Sequence, residues 1–430
     1  MKAQQRVITV MCDSLRRDFI SPMQTPVIQG IASKATCFAR ARGVFPSTTR
    51  TSSASIATGC YPARHGLTGN CVVLAEPEGL SCRNVGDPAF LDHLRQVTGT
   101  TLKVPTVAAH VRPLGRSLLM SNVSAGAAYF HDPEGFGEVW HRAGSFGEGR
   151  VALTPNPAGQ WKSGADGDAA MTAAFCGRVL GEDDLICATL WLSNPDHSGH
   201  RSPIGSPEHL QGIRDAEACL HQVEQMVAAL RDKGDDVLFI VASDHGMQSI
   251  AASIPVTQLL VDAGFKADRK SREVVIAPNG TAFTIGVSRH AHNRIPALID
   301  WLKRQEWTGE VLAGAGLAHV GLADEETCRI AVSMRATDHA NAAGVPGTSY
   351  YVEDPDEPGD YVGRGQHGGL GTYEQSPFLL IDGKEFEPGV IDTPVSLVDF
   401  LPTMLRHLGL PCSGLDGRPL QHLTPGRLVA

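Results

Sequence analysis

Three aspartates stand at, or just after, the end of apolar runs that have the length of β-strands. They are Asp13, Asp196 and Asp244. In open α/β sheets, the groups that bind ligands gather at the carboxyl ends of the strands. We therefore expect these three carboxylates to meet at one edge of a sheet.

Histidines accompany these aspartates in short polar clusters instead of on periodic apolar faces. The candidates are His200 in Asp196-His197-Ser198-Gly199-His200, His245 in Asp244-His245-Gly246, and His367 in a glycine-rich segment. Carboxylate and imidazole groups are ligands that zinc and manganese accept. Three aspartates with three histidines are enough for two ions of three protein ligands each. A single such cluster is more often a capped turn, but all of them at strand ends favour a two-metal centre.

A hydroxyl nucleophile is predicted in the loop before residues 50–58, a segment of small residues with helical length. Ser47, Thr48 and Thr49 are the candidates. The free N–H groups at the start of a helix favour an anion, and coordination to a metal activates a hydroxyl without a neighbouring base. The alternative is an ordinary Ser/Thr helix cap. The local pattern leaves the choice among the three hydroxyls open.

The elements that would hold these residues alternate between strands and helices. Strands are predicted at 6–12, 184–193, 235–243 and 377–381, and helices at 50–58, 207–232 and 396–408. Uninterrupted apolar strands suit a parallel sheet that is covered on both faces. The alternation predicts an α/β fold with a central, mostly parallel sheet and helices on both faces. Segments of about 71–180 and 260–360 are expected to be inserted cap regions within a single domain, 1–430.

The composition excludes several classes of protein. The 430-residue chain is 42% hydrophobic and 19% charged, which is enough apolar material for a large core. Its net charge of -9 argues against binding of nucleic-acid polymers, which depends on Lys and Arg. No apolar run reaches the roughly 20 residues that span a bilayer, and the start of the sequence lacks the pattern of a signal peptide. We expect a cytoplasmic protein whose ten cysteines are mostly buried, reduced thiols.

Taken in order along the chain, these motifs resemble the alkaline phosphatase superfamily, in the branch of nucleotide pyrophosphatase/phosphodiesterases and phosphonoacetate hydrolase. The motifs that carry the resemblance are the strand ending in Asp13, the Thr loop running into Ile56-Ala57-Thr58-Gly59 and His65-Gly66, Gly69-Asn70, Asp196 to His200, Ser243-Asp244-His245-Gly246-Met247, His367, and Leu397-Val398-Asp399-Phe400-Leu401-Pro402. They cover most of the chain. The resemblance implies an alkaline-phosphatase-like core and a two-metal hydrolase.

The resemblance also implies which residues hold which ion. One ion is expected on Asp13, Asp244 and His245 together with the nucleophile, and the other on Asp196, His200 and His367. The two ions are expected to be zinc, with manganese as the alternative.

Other roles follow from matching positions. The family's nucleophile stands nine residues before the Thr of the Thr-Gly pair, which selects Thr49 over Thr48 and Ser47. Asn70 matches an asparagine that hydrogen-bonds a phosphoryl oxygen. The remaining two histidines of these motifs are not expected to be ligands: His65 is expected in a structural turn and His197 in a loop beside the ligands.

The sequence departs from the branch beside the nucleophile. Arg50-Thr51-Ser52 stands where the branch usually has an apolar or amide residue followed by Pro-Asn. No segment matches the lysines that phosphonoacetate hydrolases use for the substrate carboxylate. Arg50 is a candidate source of positive charge for substrate binding, with an orientation into solvent as the alternative.

The sequence therefore predicts a hydrolase of phosphodiesters, nucleotides or other organophosphate esters that acts through a phosphothreonine. Hydrolysis of the C–P bond of phosphonoacetate is the close alternative. A non-catalytic metal-binding homologue would lack the nucleophile, whereas Thr49 is present, and a cofactor-independent mutase would use a Ser. The expected partners are small phosphate or phosphonate molecules, and a homodimer is the candidate assembly.

Overall fold

The computed structural model describes residues 4–153, 161–354 and 359–424. Its strands are β1 (Gln5–Cys12), β2 (Thr36–Phe38), β3 (Ala41–Arg42), β4 (Cys71–Glu76), β5 (Gly79–Asn84), β6 (Arg116–Ser121), β7 (Glu138–Trp140), β8 (Leu185–Leu192), β9 (Asp236–Ala242), β10 (Gln248–Ile254), β11 (Val274–Pro278), β12 (Ala282–Val287), β13 (Thr308–Ala313), β14 (Ile330–Met334), β15 (Thr337–Ala340), β16 (Pro346–Val352), β17 (Gly365–Gln366), β18 (Leu379–Asp382), β19 (Gly389–Ile391) and β20 (Val395–Ser396). Its α-helices are α1 (Pro26–Ala32), α2 (Thr49–Thr58), α3 (Pro62–His65), α4 (Phe90–Thr98), α5 (Val107–Val111), α6 (Ala125–His131), α7 (Ala165–Gly181), α8 (Asp196–Gly199), α9 (Pro207–Asp232), α10 (Val256–Asp262), α11 (Ile295–Lys303) and α12 (Phe400–His407).

An eight-stranded sheet forms the centre of the fold, in the order β19-β2-β18-β9-β1-β8-β6-β7. The first strand, β1, pairs in parallel with β8 on one side and β9 on the other. Its last residues, Met11 and Cys12, lie beside Ala242 and Leu192, so the three strands end at the same edge. Among the described strands of this sheet, β18 alone runs antiparallel to its neighbours.

Helices cover both faces of this sheet, because successive residues of a strand point to opposite sides. On one face, Ile8 and Val10 of β1 pack with apolar residues of α1, α7 and α9. On the other face, Val7 and Met11 pack with residues of α2, α5 and α12. The predicted α/β fold, with a mostly parallel sheet between two layers of helices, is confirmed.

Most of the predicted elements occur close to their predicted bounds. The long helix predicted at 207–232 is α9, and the strands around the three aspartates begin and end within one residue of the prediction. The late helix is divided, because a 3₁₀ turn at Leu397–Asp399 precedes α12. A capping box stabilises the start of this turn: the Asp399 side chain accepts a hydrogen bond from the Ser396 backbone N–H.

The two segments expected as caps differ from each other. The segment of about 71–180 contributes β6 and β7 to the central sheet, whereas β4 and β5 form a separate hairpin. The strands β6 and β7 have only 6 and 3 residues, too few to show a period within a Gly- and Ser-rich stretch. The segment of about 260–360 contains the sheet β11-β12-β14-β13, which packs on α10 and α11 in a core of its own. Residues 154–160 and 355–358 of these segments lie outside the described residues, and the single-domain division stays a prediction.

The structure bears on the expectations for the cysteines and for membrane-spanning segments. All ten cysteines are free, and six of them are buried. Within the described ranges, the search for a helix with the length and hydropathy of a membrane span finds none.

Gly59, which ends α2, lies in the left-handed region with φ +62°. A Cβ at this position would approach Leu401 and Pro402 of α12 to 3.2 Å. We expect Gly59→Ala to lower the free energy of unfolding by about 1–2 kcal/mol, because an L-residue is strained in this conformation. The measurement is the shift of the urea unfolding midpoint.

Gly30 provides the matched control, since it lies inside α1 and a Cβ added there would have nothing within 4 Å. Gly30→Ala should raise the free energy of unfolding by roughly 0.5–1 kcal/mol. If both substitutions shift the midpoint in the same direction, Gly59 does not depend on its left-handed conformation.

Candidate metal centre

The ends of β1 and β9 bring the first predicted ligand set together. Nε2 of His245 lies 3.0 Å from Oδ2 of Asp244 and 3.6 Å from Oδ1 of Asp13. The hydroxyl of Thr49, the first residue of α2, lies 3.1 Å from the same Nε2. All four side chains are buried. The residue after Asp13, Ser14, adopts φ +63° and donates its backbone N–H to Oδ1 of Asp244, so a strained turn joins the two strand ends.

The second predicted set surrounds Asp196, which follows β8 and begins α8. Its Oδ1 lies 3.2 Å from Nε2 of His200 and 3.4 Å from Nε2 of His367. The two sets adjoin, because the rings of His245 and His367 stack with their centroids 3.7 Å apart. His245 is consequently also within reach of Asp196, in a compact group with His367.

The three histidines are held in one orientation. Each pairs its Nδ1 with a backbone carbonyl at 2.8–3.0 Å: His200 with Gly365, His245 with Gly246, and His367 with Ser47. A carbonyl only accepts, so Nδ1 carries the proton and the Nε2 lone pair faces the aspartates. This is the orientation of histidines that ligate a metal, with the second nitrogen fixed by a hydrogen bond.

The carboxylates of the two ligand sets are suited to hold a divalent cation. Three of their buried oxygens have no hydrogen-bond donor within the described residues: Oδ1 of Asp13, Oδ1 of Asp196 and Oδ2 of Asp244. Burial, and then the charges of Asp244 and Asp196, raise the pKa of Asp13 well above its usual value. Carboxylate oxygens and imidazole lone pairs that face each other without a proton donor repel, and a bound cation removes this repulsion.

Among the three candidate hydroxyls, Thr49 alone faces the centre and lines the cavity above it. The Thr48 hydroxyl is buried and pairs with the hydroxyl of Thr51 at 2.9 Å. The Ser47 hydroxyl donates to the carbonyl of Gly369 and accepts from the Gly368 N–H. Ser47 and Thr48 therefore support the loop, and Thr49 is available for chemistry.

Asn70 and Arg50 form one side of the cavity. The Asn70 backbone N–H donates to Oδ1 of Asn279, and the side-chain Oδ1 of Asn70 has no partner within the described residues. The Arg50 guanidinium does not extend into solvent, because its Nη1 donates to the Asn70 carbonyl at 2.8 Å and to Oδ1 of Asn84 at 2.7 Å. Arg50 thus fixes the Asn70 loop against the start of α2, besides lining the cavity.

Asp168, which the sequence analysis missed, positions the loop that carries Asp196. From the α7 helix, its buried carboxylate accepts the backbone N–H groups of Ser193 and Asn194 and the side-chain amide of Asn122. The distances are 2.8–3.1 Å. No local motif marks Asp168, because its partners lie about 25 residues later and on another strand.

Glu374 has the same function for the loop that carries His367. Its fully buried carboxylate accepts N–H groups from Gly369 and Gly371 and the hydroxyl of Thr281. Burial raises the pKa of Glu374 to about 7. The three groups that contact the Glu374 carboxylate are all uncharged. The loop is therefore held by hydrogen bonds from its backbone N–H groups to this carboxylate.

The two histidines not expected to be ligands are outside both sets. His65 is buried and pairs with the Ser55 hydroxyl and the Leu67 N–H, as a structural turn residue would. His197 lines the cavity but faces away from the cluster, next to Gly164.

The cavity above the centre has a volume of about 670 Å³ and is rich in cationic groups. Four arginines line it: Arg50, Arg142, Arg201 and Arg364. The sequence analysis identified only the first. Arg201 directly follows His200, and Arg364 stands close to His367 in the sequence, so their proximity to predicted ligands could have identified them. Arg142 is not near any predicted ligand in the sequence.

The sequence of the chain matches a known protein family. The sequence profile of the type I phosphodiesterase / nucleotide pyrophosphatase family matches residues 7–313, well over half of the chain. The chain belongs to this family. As a type I phosphodiesterase / nucleotide pyrophosphatase family member, it is a metal-dependent hydrolase of the phosphoester-cleaving class.

Solved structures with similar folds agree with this assignment. Murine ectonucleotide pyrophosphatase / phosphodiesterase 5 is 16% identical, with a TM-score of 0.67 over 96% of this chain and 97% of that chain. Phosphonoacetate hydrolase from Sinorhizobium meliloti, in complex with phosphonoformate, is also 16% identical, with a TM-score of 0.67 over 94% and 96%. A comparison with curated protein sequences finds no match. The predicted branch of the superfamily is confirmed.

Removal of the Asp168 carboxylate should loosen the Asp196 loop of this family member. Asp168→Ala removes the acceptor of four buried donors, which are the N–H groups of Ser193 and Asn194, the Ser193 hydroxyl and the Asn122 amide. At about 1–3 kcal/mol each, we expect at least about 4 kcal/mol loss in the free energy of unfolding. The zinc affinity should also fall. Urea unfolding and zinc titration measure the two effects.

Asp166→Ala is the matched control in the same helix, since Asp166 is exposed and, among the described residues, pairs with Lys162 alone. It should change the free energy of unfolding by less than about 0.5 kcal/mol. Equal effects of the two substitutions would contradict a loop-positioning role for Asp168.

Proposed function

We propose that this family member is a two-metal phosphohydrolase that cleaves phosphate esters through a phosphothreonine at Thr49. The proposed substrates are phosphodiesters, nucleotides or other organophosphates. The main supporting observation is the Thr49 hydroxyl, which lies 3.1 Å from Nε2 of His245 at the start of a helix and faces a cluster of unpaired carboxylate oxygens. A hydroxyl in this position is suited to in-line attack on a phosphoryl group.

Each ion would have its own set of ligands. The proposed sets are Asp13, Asp244, His245 and Thr49 for the first ion, and Asp196, His200 and His367 for the second. Zinc is the proposed metal and manganese the alternative, because both accept carboxylate with imidazole. When bound, the two ions would lower the pKa of the hydroxyl and neutralise charge on the phosphoryl and leaving oxygens.

The residues of the chain divide the reaction between them. Thr49 Oγ1 forms a bond to phosphorus, while the bond from phosphorus to the leaving group breaks and the leaving group takes the electron pair. The side chain of Asn70 holds a phosphoryl oxygen, and Arg50 keeps that loop in place through the Asn70 carbonyl. The N–H groups of the first turn of α2 add a favourable field for the anion. A water molecule then attacks the phosphorus of the threonyl intermediate and breaks its bond to Thr49 Oγ1, which regains a proton from that water. The product is inorganic phosphate from a monoester, or a phosphate monoester from a diester.

The residues of the cavity bear on two alternative functions. Hydrolysis of phosphonoacetate has support in the arginines of the cavity and in the TM-score of 0.67 to phosphonoacetate hydrolase, which equals that of the phosphodiesterase neighbour. A non-catalytic metal-binding role is disfavoured, because Thr49 lies in contact with the cluster. A cytoplasmic location and a homodimeric assembly are further proposals.

Metal content tests the ligand sets. Protein purified without chelator should contain about two zinc or manganese ions per chain. His200→Ala should reduce this towards one ion, since a lost ligand weakens one site only, while His197→Ala, a neighbouring cavity residue, should leave both ions in place. Elemental analysis measures the content. Greater metal loss in His197→Ala than in His200→Ala would mean that the ligands are assigned wrongly.

The nucleophile is tested with a pair of adjacent threonines. Thr49→Ala should lower kcat by at least about two to three orders of magnitude, because the covalent step is lost while metals and positioning remain. Thr49→Ser should keep part of the activity, and Thr48→Ala should be mild, since it removes only the hydrogen bond to Thr51. Rapid quench with a labelled substrate should trap phosphate on the peptide that contains Thr49. Near-normal turnover of Thr49→Ala would rule out the covalent mechanism.

A further inference from the structure

Three arginines line the cavity beyond the second ligand set, away from Thr49. They are Arg142, Arg201 and Arg364. Along the edge of the sheet, the ends of β9, β1, β8, β6 and β7 follow one another, so Asp244, Asp13 and Asp196 come before the segment after β7 that carries Arg142. Arg201 directly follows His200. The carbonyl of Gly365, which follows Arg364, receives the hydrogen bond from the His200 ring.

These arginines have no acidic partner within 4.0 Å in the described part of the chain, although other Arg and Lys side chains there form many such ion pairs. Arg142 is half-buried, and its Nη1 donates to the backbone carbonyls of Asn122 and Val123. Arg201 and Arg364 have exposed side chains on fixed backbone: the Arg201 N–H bonds to Ser198, and the Arg364 carbonyl accepts from Ile250. Burial lowers the pKa of Arg142, and the charge of Asp168, which lies beyond 4.0 Å and bonds to backbone N–H groups, offsets only part of this effect. An anion bound in the cavity would offset the remaining cost of burying this guanidinium.

The phosphoryl group that reacts does not need these three arginines as binding partners. Two divalent ions, Asn70 and the start of α2 already face the phosphoryl oxygens in the proposed function, on which this inference rests. In-line attack by Thr49 places the leaving group on the opposite side of phosphorus, which is the side of Asp196 and the three arginines. A guanidinium binds carboxylate and phosphate through two parallel hydrogen bonds.

We propose that Arg142, Arg201 and Arg364 form an anion subsite that binds a second negatively charged group, a carboxylate or a phosphate, on the leaving group of the substrate. The lining of the cavity favours such a small polyanion over a substrate with a large aromatic group. Among its described lining residues, Tyr361 is the one aromatic side chain other than histidine. The subsite therefore selects substrates by the charge of the leaving group.

Binding to the Thr49→Ala protein, loaded with zinc, tests the subsite without turnover. Three ligands share a phosphonate on a one-carbon spacer and differ in the second group: phosphonoacetate carries a carboxylate, methylenediphosphonate a phosphonate, and the carboxyl methyl ester of phosphonoacetate no second charge. Isothermal titration calorimetry is run on this background, and on the same background with Arg201→Gln, Arg364→Gln or Arg142→Gln. Arg304→Gln is the control for net charge, because Arg304 is exposed and outside the cavity.

We expect at least one of the two ligands with a second anionic group to bind about ten-fold or more tightly than the ester, and each cavity substitution to remove about ten-fold of that affinity. Binding of the ester, and all binding to Arg304→Gln, should be nearly unchanged. A preference for phosphonoacetate identifies a carboxylate as the second group, and a preference for methylenediphosphonate identifies a phosphate. The inference is overturned if the ester binds as tightly as both phosphonoacetate and methylenediphosphonate, or if the cavity substitutions weaken the binding of all three ligands equally. Arg201→Gln and Arg364→Gln change exposed side chains, so they keep the test decisive if Arg142→Gln does not fold.

Turnover by the protein with Thr49 intact separates this inference from the proposed function. Arginine-dependent binding without hydrolysis of any phosphate ester or phosphonate would overturn the proposed function and leave the subsite. Hydrolysis with binding that ignores the second charge would overturn the subsite alone.

Discussion

Mutual repulsion among three carboxylates, two of them buried and the third partly exposed, is the constraint around which this structure is organised. Two like charges about 4 Å apart repel by roughly 4 kcal/mol at the dielectric constant effective near a protein surface. The parallel pairing of β1 with β8 and β9 nevertheless forces Asp13, Asp196 and Asp244 to one edge of the sheet. A rigid, close-packed core keeps the carboxylates from moving apart. Divalent cations convert this unfavourable arrangement into a binding site.

The buried acidic residues fall into two groups that differ in their hydrogen bonds. Asp168, Glu374 and Glu217 accept backbone N–H groups with both oxygens, and each holds a loop or a helix start in place. Asp13 and Asp196 instead keep an oxygen without any donor among the described residues. The first group is satisfied by the fold, while the second requires something that the polypeptide does not provide. Burial alone would not have separated the two groups, because Asp13 is as inaccessible to solvent as Asp168 and Glu374, although Asp196 is partly exposed.

The sequence predicted those parts of the site that local patterns encode. An apolar run marks a buried strand, so the positions of Asp13 and Asp244 followed directly. The local pattern left Ser47, Thr48 and Thr49 open, and the resemblance to the family, not the local pattern, selected Thr49. Asp168 and the orientation of Arg50 could not be predicted in this way, since both depend on contacts between segments that are distant in the chain. The strands β6 and β7 were missed for a related reason, because a strand of three to six residues gains its place from pairing with its neighbours.

The central position of β1 also affects how the chain is made. Val7 pairs with Cys187 and Leu238, which a ribosome adds much later, at a rate of about 5–20 residues per second. For on the order of ten seconds or more, an apolar strand is therefore present with both of its edges unpaired. Such segments are the ones that self-associate, and folds with distant pairings form slowly. The strand that anchors the metal centre thus stays open to self-association from early in synthesis until β8 and β9 have been made.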